Sequence, residues 1–435
     1  MERIIIHSDL NNFYASVERK LNPSLAGKPV AVCGDRQSRH GIVLAKSEEA
    51  KRYGVKTGEV IWQAERKCPN LVVVPPHFDL YIKYSREVRD IYARYTDLIE
   101  NYGIDECWLD ISSSTLLFPE YGGEKYVFTD GAKTYSEGFL RHLGDTIRNT
   151  VKSELGITVS CGVSFNKVFA KLGSDLKKPD GTSVISKSNF KQTIYGLPVE
   201  DLLFVGKSTK DKLAAMGLDT IGRLAAADDV KLTAQFGKVG QTLLRNARGE
   251  DDAPVSHKDD RREMKSIGNS CTYPNDLTDL RTVKRGIFVL AESVAARLRE
   301  SGQGLADTVH LWVRYTNLTD FSVQTKVRHT ALCGEIAAHA YALFEKNVRP
   351  PFKVRSLGVT VSGFDNNVSQ LTYDEVCGNY KKKEAVDRCV DAIRKKHGYD
   401  IVQRGIVAEV DDGINTDVKG THLIKPAKID YPEED

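Results

Sequence analysis

The stretch HSDLNNFYASVE, residues 7–18, decides how the rest of the chain is interpreted. It begins at the end of a short apolar run, and the pattern of residues 3–9 predicts a β-strand that ends at Asp9. Residues 12–20 then have the apolar spacing of a helix. The sequence therefore places a carboxylate at the junction between a strand and a helix.

A second stretch, GIDECWLDIS at residues 103–112, places the adjacent acids Asp105 and Glu106 directly before a strand predicted for residues 107–112. Side chains alternate along a strand, so carboxylates at the ends of adjacent strands can converge on one point. Phosphoryl transfer from a nucleoside triphosphate uses two Mg²⁺ ions about 3.5–4 Å apart that are held by oxygen ligands. Together with Asp9, the pair could supply those ligands, although a lone aspartate at a strand end is more often a turn or cap residue.

Composition is that of an ordinary soluble protein with several domains. The chain has 435 residues, of which 41% are hydrophobic and 28% charged, and this length is enough for two to four domains. A formal net charge of +3 says little about nucleic acid, but residues 258–410 are mildly basic and residues from 411 onward are acidic. Eight scattered cysteines without CxxC or Cys/His spacing indicate neither a zinc site nor a disulfide framework.

Six blocks of the sequence, taken in order and spacing, resemble successive motifs of Y-family DNA polymerases, closest to the bacterial UmuC/DinB-like branch of DNA polymerase IV type. The blocks are HSDLNNFYASVE, LNPSLAGKPVAV, EEAKRYGVKTGE, GIDECWLDIS, VSFNKVFAKLGSDLKKPDG and KSIGNS. The resemblance implies an α+β multidomain fold shaped like a right hand, with a palm, short fingers, a helical thumb and a little finger. It also implies a DNA-directed DNA polymerase of low fidelity that bypasses lesions.

The same resemblance, with the changes in sequence pattern, predicts the domain limits. The predicted domains are the palm (1–20 and 77–196), the fingers (21–76), the thumb (197–249), a charged linker (250–263), the little finger (264–410) and an acidic tail (411–435) that we expect to be flexible. Residues 115–138 interrupt the palm without clear periodicity and are interpreted as an irregular excursion.

The resemblance also implies a set of metal ligands. Asp9, Asp105 and Glu106 would be the catalytic palm carboxylates that bind two Mg²⁺ ions, and the backbone carbonyl of Leu10 would complete one coordination shell. The sequence leaves open whether Mn²⁺ can replace Mg²⁺.

Contacts to the nucleotide follow from the same match. Tyr14 would be the steric gate, because its ring would lie under the incoming sugar where a 2′-hydroxyl collides. Phe13 is equally compatible with core packing. Lys51 and Lys171, with Lys167 as a third candidate, would bind the triphosphate, although exposed lysines on helices are usually only solvated.

Two departures from the common family text lie near these residues. Glu48 and Lys51 replace the aromatic residue and the arginine of the motif YEAR, and lysine lacks the bidentate fork of arginine, so phosphate binding should be looser or differently arranged. Gly103 stands where serine is usual, and Cys107 is interpreted as a packing residue, because no partner base is evident.

DNA contacts are predicted in the last two domains. The candidates are Gly237, Lys238 and Gly240 in a glycine-rich turn of the thumb, and Arg314, Lys326 and Arg328 on strands of the little finger. For the strand residues, a solvated sheet face is an equally good interpretation. The expected substrates are primer–template DNA and a dNTP.

Partners and location complete the expectations. The segment Ser369-Gln370-Leu371-Thr372-Tyr373 sits where relatives carry a sliding-clamp peptide, but it lacks the Leu-Phe ending, and a plain loop is the alternative. The N-terminal apolar run is too short for a signal peptide or a membrane span, so we expect a monomer in the bacterial cytoplasm, associated with the nucleoid and not with a membrane. A non-catalytic DNA-binding scaffold of the same fold and a palm-fold nucleotidyl cyclase are the rival hypotheses.

Overall fold

A computed structural model describes residues 3–34, 41–129, 132–260, 263–365, 379–398 and 401–408. The chain divides into two compact units. The first contains the described residues of 3–33 and 43–260, and the second contains residues 34, 41 and 42 together with the described residues from 263 onward.

The first unit mixes strands and helices along its whole length. Its strands are β1 (Ile5–Leu10), β2 (Val30–Cys33), β3 (Val43–Lys46), β4 (Val72–Val74), β5 (Ile99–Asn101), β6 (Glu106–Asp110), β7 (Tyr126–Thr129), β8 (Ala132–Tyr135), β9 (Val159–Ser164) and β10 (Thr182–Ile185). Its helices are α1 (Phe13–Leu21), α2 (Glu48–Arg52), α3 (Ile61–Lys67), α4 (Phe78–Tyr92), α5 (Glu137–Leu155), α6 (Lys167–Leu176), α7 (Phe190–Ile194), α8 (Lys207–Ala215), α9 (Ile221–Ala225), α10 (Asp229–Phe236) and α11 (Lys238–Arg248).

A five-stranded sheet in the order β10-β9-β1-β6-β5 forms the centre of this unit. β1 pairs antiparallel with both β6 and β9, and its apolar residues Ile4, Ile5 and Ile6 are fully buried. α6 packs very closely on β9, since a Cβ added at Gly162 would lie 1.9 Å from the carbonyl oxygen of Ala170. Only a glycine allows this approach, and it brings α6 over the middle of the sheet.

Three smaller substructures surround this sheet. β2, β3 and β4 form a separate three-stranded sheet with α2 and α3, and β7 and β8 form a hairpin. The helices α8 to α11 share an apolar core that includes Leu213, Leu224, Leu232 and Leu243. The predicted irregular excursion at 115–138 is therefore wrong in part, because two strands of four residues each are too short for periodicity to distinguish them from a loop.

The second unit is a four-stranded sheet covered by helices. Its elements are β11 (Ser266–Leu277), α12 (Leu280–Glu300), β12 (Leu305–Tyr315), β13 (Asp320–Thr330), α13 (Cys333–Asn347), β14 (Val354–Asp365), α14 (Asn379–His397) and α15 (Gly405–Ala408). The sheet order is β11-β14-β12-β13, with antiparallel pairing throughout. Buried ion pairs hold α14 and the segment after it on α12, with Glu292 bound by Arg394 and Arg404, and Arg299 bound by Asp387.

Some elements begin or end at other residues than predicted. The strand expected for residues 3–9 is Ile5–Leu10, the helix expected for 12–20 is Phe13–Leu21, and the strand expected for 107–112 is Glu106–Asp110. The possible clamp segment, Gln370 to Tyr373, lies outside the described residues. In the described part of the chain, no helix is long and apolar enough to cross a membrane, and the seven cysteines found there are free thiols.

Candidate active site

Three carboxylates lie together at one end of the five-stranded sheet. Asp9, near the end of β1, is directly opposite Glu106, the first residue of β6, and this pairing places their Cα atoms about 5 Å apart. Asp105 precedes β6, and its carbonyl oxygen accepts a 2.9 Å hydrogen bond from the amide of Leu10. The strand pairing itself therefore brings the three acids to one place.

Two ammonium groups contact these acids. Lys178 Nζ lies 2.8 Å from Asp9 Oδ2 and 2.7 Å from Asp175 Oδ1. Lys171 Nζ contacts Glu106 Oε2. Lys171 belongs to α6, and Lys178 follows the end of that helix. One helix and the segment after it thus supply both cations.

The segment that carries Lys178 is anchored to the sheet. The amide of Asp180 donates a 2.8 Å hydrogen bond to Asn11 Oδ1, so the segment is tied to the residue that follows β1. The Asp180 carboxylate is in turn held by Arg148 at 2.6 Å and Lys152 at 2.7 Å, both on α5. These bonds hold Lys178 beside Asp9.

The acids influence one another's protonation. Burial, followed by the charges of Asp9 and Glu106, raises the pKa of Asp105 from 3.8 to about 6. Burial also raises the pKa of Asp9, and the ammonium of Lys178 counteracts this rise. Burial lowers the pKa of Lys178, but the charges and hydrogen bonds of Asp9 and Asp175 outweigh burial and raise this pKa above its ordinary value. Asp105 is thus the acid that the surrounding charges disfavour most as an anion.

A buried histidine completes the surroundings of Glu106. His7 is fully buried on the same face of β1 as Asp9. Its Nδ1 is hydrogen-bonded to Ser174 Oγ at 2.9 Å, and its Nε2 lies 3.2 Å from Glu106 Oε2 without the alignment of a good hydrogen bond. Although burial favours the neutral acid, His7 and Lys171 together lower the pKa of Glu106 to about 2. Glu106 is therefore held as a carboxylate.

The donor set fits a divalent cation. In the described ranges, no three His, Cys, Asp or Glu side chains already surround one point as metal ligands, and Asp9 and Glu106 each contact a lysine. Nevertheless, all the acidic side chains of the site offer the oxygen donors that Mg²⁺ and Mn²⁺ prefer. Three carboxylates face two ammonium groups, so positive charge is short by one, and a cation would relieve the repulsion on Asp105.

An aromatic cluster lies next to the acids. The ring of Tyr14 stacks on Tyr81 with centroids 4.2 Å apart and planes 9° apart, and Phe78 meets it edge-on at 5.9 Å. Burial, with a further contribution from the charge of Asp105, raises the pKa of Tyr14 to about 12. Phe13 points into the core and is only 3% exposed. Tyr14 is thus partly exposed and within the electrostatic influence of Asp105.

Comparisons with known proteins identify the family. The family model described as the impB/mucB/samB family matches residues 8–175, and that of its C-terminal domain matches 264–373. DNA polymerase IV of Acetivibrio thermocellus is 47% identical over 418 residues, which covers 95% of this chain and 100% of the relative. DNA polymerase IV 1 of Bacillus subtilis is 35% identical and covers 97% of each chain. The chain belongs to this family, the Y family of DNA polymerases.

The fold agrees with this membership. A solved chimeric Y-family DNA polymerase matches with a TM-score of 0.70 at 23% identity, covering 84% of this chain and 100% of the chimera. The model described as the thumb domain of DNA polymerase-iota matches residues 200–251. The predicted right-hand α+β fold is therefore confirmed. The protein is a DNA-directed DNA polymerase of the translesion type, its family implies dependence on divalent metal ions, and the scaffold alternative is not favoured.

Lys167 of this Y-family polymerase is placed away from the carboxylate cluster. Its Nζ lies 2.6 Å from Glu100 Oε2 and 3.4 Å from the carbonyl oxygen of Pro254, and it also lies over the ring of Trp108. The prediction that Lys167 binds the triphosphate is not supported by these contacts. Lys171, one helical turn later, contacts Glu106. A difference of one turn on α6 therefore separates an ion pair with Glu100 from an ion pair with Glu106.

Lys51 of the polymerase is half exposed at the end of α2. Its Nζ lies 3.6 Å from Glu48 Oε1, which also accepts a 3.0 Å hydrogen bond from Asn12 Nδ2. Glu48 therefore joins α2 to the residue that precedes α1. Lys51 is near the nucleotide-binding residues predicted from the sequence, but a carboxylate competes for its charge.

The departures from the family text at Gly103 and Cys107 have different effects on the acids. A Cβ added at Gly103 would lie 3.2 Å from Asp105 Oδ1, so the glycine leaves room beside that carboxylate. Burial raises the pKa of the Cys107 thiol to about 12, which agrees with a packing role.

The predicted DNA contacts of the first unit have unequal support. Gly237 joins α10 to α11 with φ at 59°, and Lys238 is exposed at the start of α11. Gly240 has a packing reason to be glycine, because an added Cβ would lie 2.6 Å from the carbonyl oxygen of Leu232. The exposed turn at 237–238 is the better candidate for a phosphate contact.

The predicted DNA contacts of the second unit lie on neighbouring strands. Lys326 and Arg328 occupy exposed positions of β13, and Arg314 is partly exposed on β12. Arg314 lies 3.5 Å from Asp320, and Lys326 lies 2.5 Å from Asp307. Local carboxylates thus reduce the positive charge that Arg314 and Lys326 offer.

Sequence reasoning missed three residues beside the site. His7 could have been found, because it is two residues before Asp9 and so shares its face of the strand. Lys178 lies in the block VSFNKVFAKLGSDLKKPDG, but nothing in that block says which lysine reaches the acids. Tyr81 carries no signal beyond helical spacing.

Proposed function

We propose that this polymerase extends a DNA primer at the cluster of Asp9, Asp105 and Glu106. The oxygen of the primer 3′-hydroxyl attacks the α-phosphorus of a dNTP that is paired with the template base. A new P–O bond forms as the bond to the β-phosphate breaks, and pyrophosphate leaves. The observation that carries the proposal is the pairing of Asp9 with Glu106 across β1 and β6, with Asp105 adjacent.

The cluster is proposed to hold two Mg²⁺ ions, with Mn²⁺ as the alternative. When bound, such ions activate the attacking hydroxyl and neutralise charge on the leaving pyrophosphate. The three carboxylates, with the backbone carbonyl of Leu10, would be their protein ligands. The excess of negative charge around Asp105 supports this assignment. A group of acids that only stabilised the fold would be more stable with one carboxylate fewer.

The triphosphate is proposed to be bound by Lys171 and Lys178. Both ammonium groups already contact acids of the cluster, so a triphosphate at that cluster would lie within their reach. Lys178 is an addition to the residues predicted from the sequence. Lys51 is a weaker candidate, because Glu48 competes for it.

Tyr14 is proposed as the steric gate that excludes ribonucleotides. Tyr14 is partly exposed, and the charge of Asp105 contributes to its raised pKa, so its ring is available to lie under the sugar of a nucleotide bound at the acids. A 2′-hydroxyl would collide with that ring.

The domain limits remain as predicted from the sequence. We assign the palm to 1–20 and 77–196, the fingers to 21–76, the thumb to 197–249, the linker to 250–263 and the little finger to 264–410. Fingers this small would enclose the nascent base pair loosely, which accounts for low fidelity and for synthesis past damaged template bases.

Contacts to DNA are proposed through phosphates. Lys238 at the exposed turn of the thumb and Arg328 on β13 are the residues best placed by their exposure. We further propose that the protein acts as a monomer in the bacterial cytoplasm, at the nucleoid where its substrate is. Its clamp contact, if it has one, would be the segment Gln370 to Tyr373.

The test is primer extension on undamaged and abasic templates with Mg²⁺ and all four dNTPs. The native protein is compared with a variant that carries Asp105→Ala and Glu106→Ala. The matched control carries Asp97→Ala and Glu154→Ala, since these exposed acids of the same unit contact only Lys258 and Arg94 among the ion pairs found. Extension by the native and control proteins, but not by the first variant, supports the assignment. DNA binding without extension by the native protein would favour a scaffold instead.

A further inference from the structure

Glu18 lies one helical turn after Tyr14 and has no assigned role in nucleotide selection. We infer that Glu18 is a positioning residue for sugar discrimination, because it fixes the depth and tilt of the Tyr14 ring through Tyr81. The inference rests on the proposed role of Tyr14 as the steric gate.

Tyr81 connects the two residues of α1. Tyr14 and Glu18 are four positions apart, so their side chains lie on one face of the helix, one above the other. The ring of Tyr81, on α4, is parallel to that of Tyr14 at 4.2 Å, and its hydroxyl donates a hydrogen bond to Glu18 Oε1. A shift of Tyr81 would therefore break either the stack or the hydrogen bond.

The carboxylate of Glu18 is buried and has two hydrogen-bond partners. Glu18 is only 5% exposed, and Tyr81 is fully buried. His77 Nδ1 lies 2.9 Å from the same Oε1 atom, so the carboxylate holds both His77 and Tyr81, which flank the first turn of α4. A buried acceptor that loses one of its partners is costly, so Glu18 favours one position of Tyr81 strongly.

Phe78 closes a further side of the aromatic cluster. Its ring meets Tyr14 edge-on at 5.9 Å and Tyr81 edge-on at 5.8 Å. Tyr14 can therefore neither slide along Tyr81 nor rotate towards Phe78 without losing a ring contact. Tyr81 and Phe78 thus set the position of the Tyr14 ring, and of these two only Tyr81 has a polar group that holds it in place.

This rigidity matters because a steric gate discriminates by one oxygen atom. A ring that can retreat by a fraction of an ångström admits a 2′-hydroxyl, whereas a deoxyribose fits in either position. Loss of the hydrogen bond should therefore raise insertion of ribonucleotides and leave insertion of deoxyribonucleotides almost unchanged. A residue that only stabilised the fold would lower both insertions together.

The test measures kcat/KM for dNTP and rNTP insertion with the full-length protein, and compares their ratio among variants. Glu18→Leu and Tyr81→Phe should each lower the ratio about tenfold, which corresponds to about 1.4 kcal/mol. Glu18→Gln keeps an oxygen that accepts from the Tyr81 hydroxyl, so it should retain the native ratio. Tyr95→Phe is the matched control, because it also removes one hydroxyl, 3.0 Å from Thr150 Oγ1, in the same unit.

The variants distinguish failure of the Glu18 inference from failure of the Tyr14 gate assignment. The inference is wrong if Glu18→Leu and Tyr81→Phe keep the native ratio while Tyr14→Ala lowers it, or if dNTP and rNTP insertion fall equally. If Tyr14→Ala also keeps the native ratio, the gate assignment itself fails, and this inference falls with it. Circular dichroism establishes which variants are folded at the assay temperature, and Tyr81→Phe carries the test if Glu18→Leu does not fold.

Discussion

Removing the charge of Asp105 should stabilise the polymerase while abolishing its activity. Its pKa is raised from 3.8 to about 6 by burial and by the charges of Asp9 and Glu106. At about 1.36 kcal/mol per pKa unit, this rise corresponds to about 3 kcal/mol of lost stability once the group is ionised in both the folded and unfolded states. Asparagine has nearly the same shape and carries no charge. Asp105→Asn should therefore be more stable than the native protein by up to about 3 kcal/mol at pH 8 when divalent cations are removed with EDTA.

The sign of the pH dependence follows from the same linkage. Because the folded state binds the proton more tightly than the unfolded state, the stability contributed by protonated Asp105 is fully present below its unfolded pKa of 3.8. It is lost as the pH rises through about 6. The advantage of Asp105→Asn should thus fall to about half its value at pH 5.

Urea denaturation followed by circular dichroism, at several pH values in EDTA, measures this difference. Asp97→Asn is the control, since Asp97 is exposed and its pKa is lowered by Lys258 and not raised. Added Mg²⁺ should stabilise the native protein more than the Asp105→Asn variant, because ligand binding to the folded state adds to stability. A variant that is less stable than the native protein, or an advantage that does not change between pH 5 and pH 8, would refute the reasoning.

Three further predictions concern single side chains. Tyr14→Ala should raise ribonucleotide incorporation, and unchanged incorporation in a competition assay would contradict the gate assignment. Lys178→Met should raise the KM for dNTP by about tenfold or more, because a charge-assisted bond contributes about 1.5–3 kcal/mol, while KM for the primer–template stays constant in steady-state assays. Lys167→Met should lower the free energy of unfolding by about 3 kcal/mol, since it removes the ammonium group that pairs with the buried Glu100, and a raised KM for dNTP in the folded variant would restore Lys167 as a triphosphate ligand.

The placement of the acids could be predicted from the sequence because it follows from local rules. A strand that ends at Asp9 and another that begins at Glu106 need only be neighbours in one sheet for the acids to meet. The fold class could also be predicted from local sequence, because each of the six motif blocks is a short continuous segment that can be recognised without knowing how the chain folds. The domain limits and the roles of the site residues are still predictions.

The choice among the lysines could not be predicted, because it depends on how α6 lies on the sheet. Lys167 and Lys171 are on one face of the helix, one turn apart, and equal in sequence terms. The orientation of α6 is decided by close packing at Gly162 and by the asparagine cap at Asn166. That packing puts Lys171 on Glu106 and leaves Lys167 at another acid.

Contacts between residues far apart in the sequence could not be predicted either, because they also depend on how helices and strands pack. Glu18 and Tyr81 are 63 positions apart and meet only because α1 and α4 pack against each other. The hairpin at β7 and β8 shows a different difficulty, since a two-stranded element of four residues per strand is too short for periodicity to distinguish it from a loop.

The charge balance of the acid cluster bears on the choice between an enzyme and a scaffold. Three carboxylates meet two ammonium groups in a buried place, and burial and the remaining repulsion raise the pKa of Asp105 to about 6. A chain that only bound DNA would be more stable by about 3 kcal/mol without that charge. A cation bound at the three acids turns the same charge into a favourable term. The loss of stability caused by ionised Asp105 is therefore offset only in a protein that binds cations at this cluster. A polymerase requires such cations, and a scaffold does not.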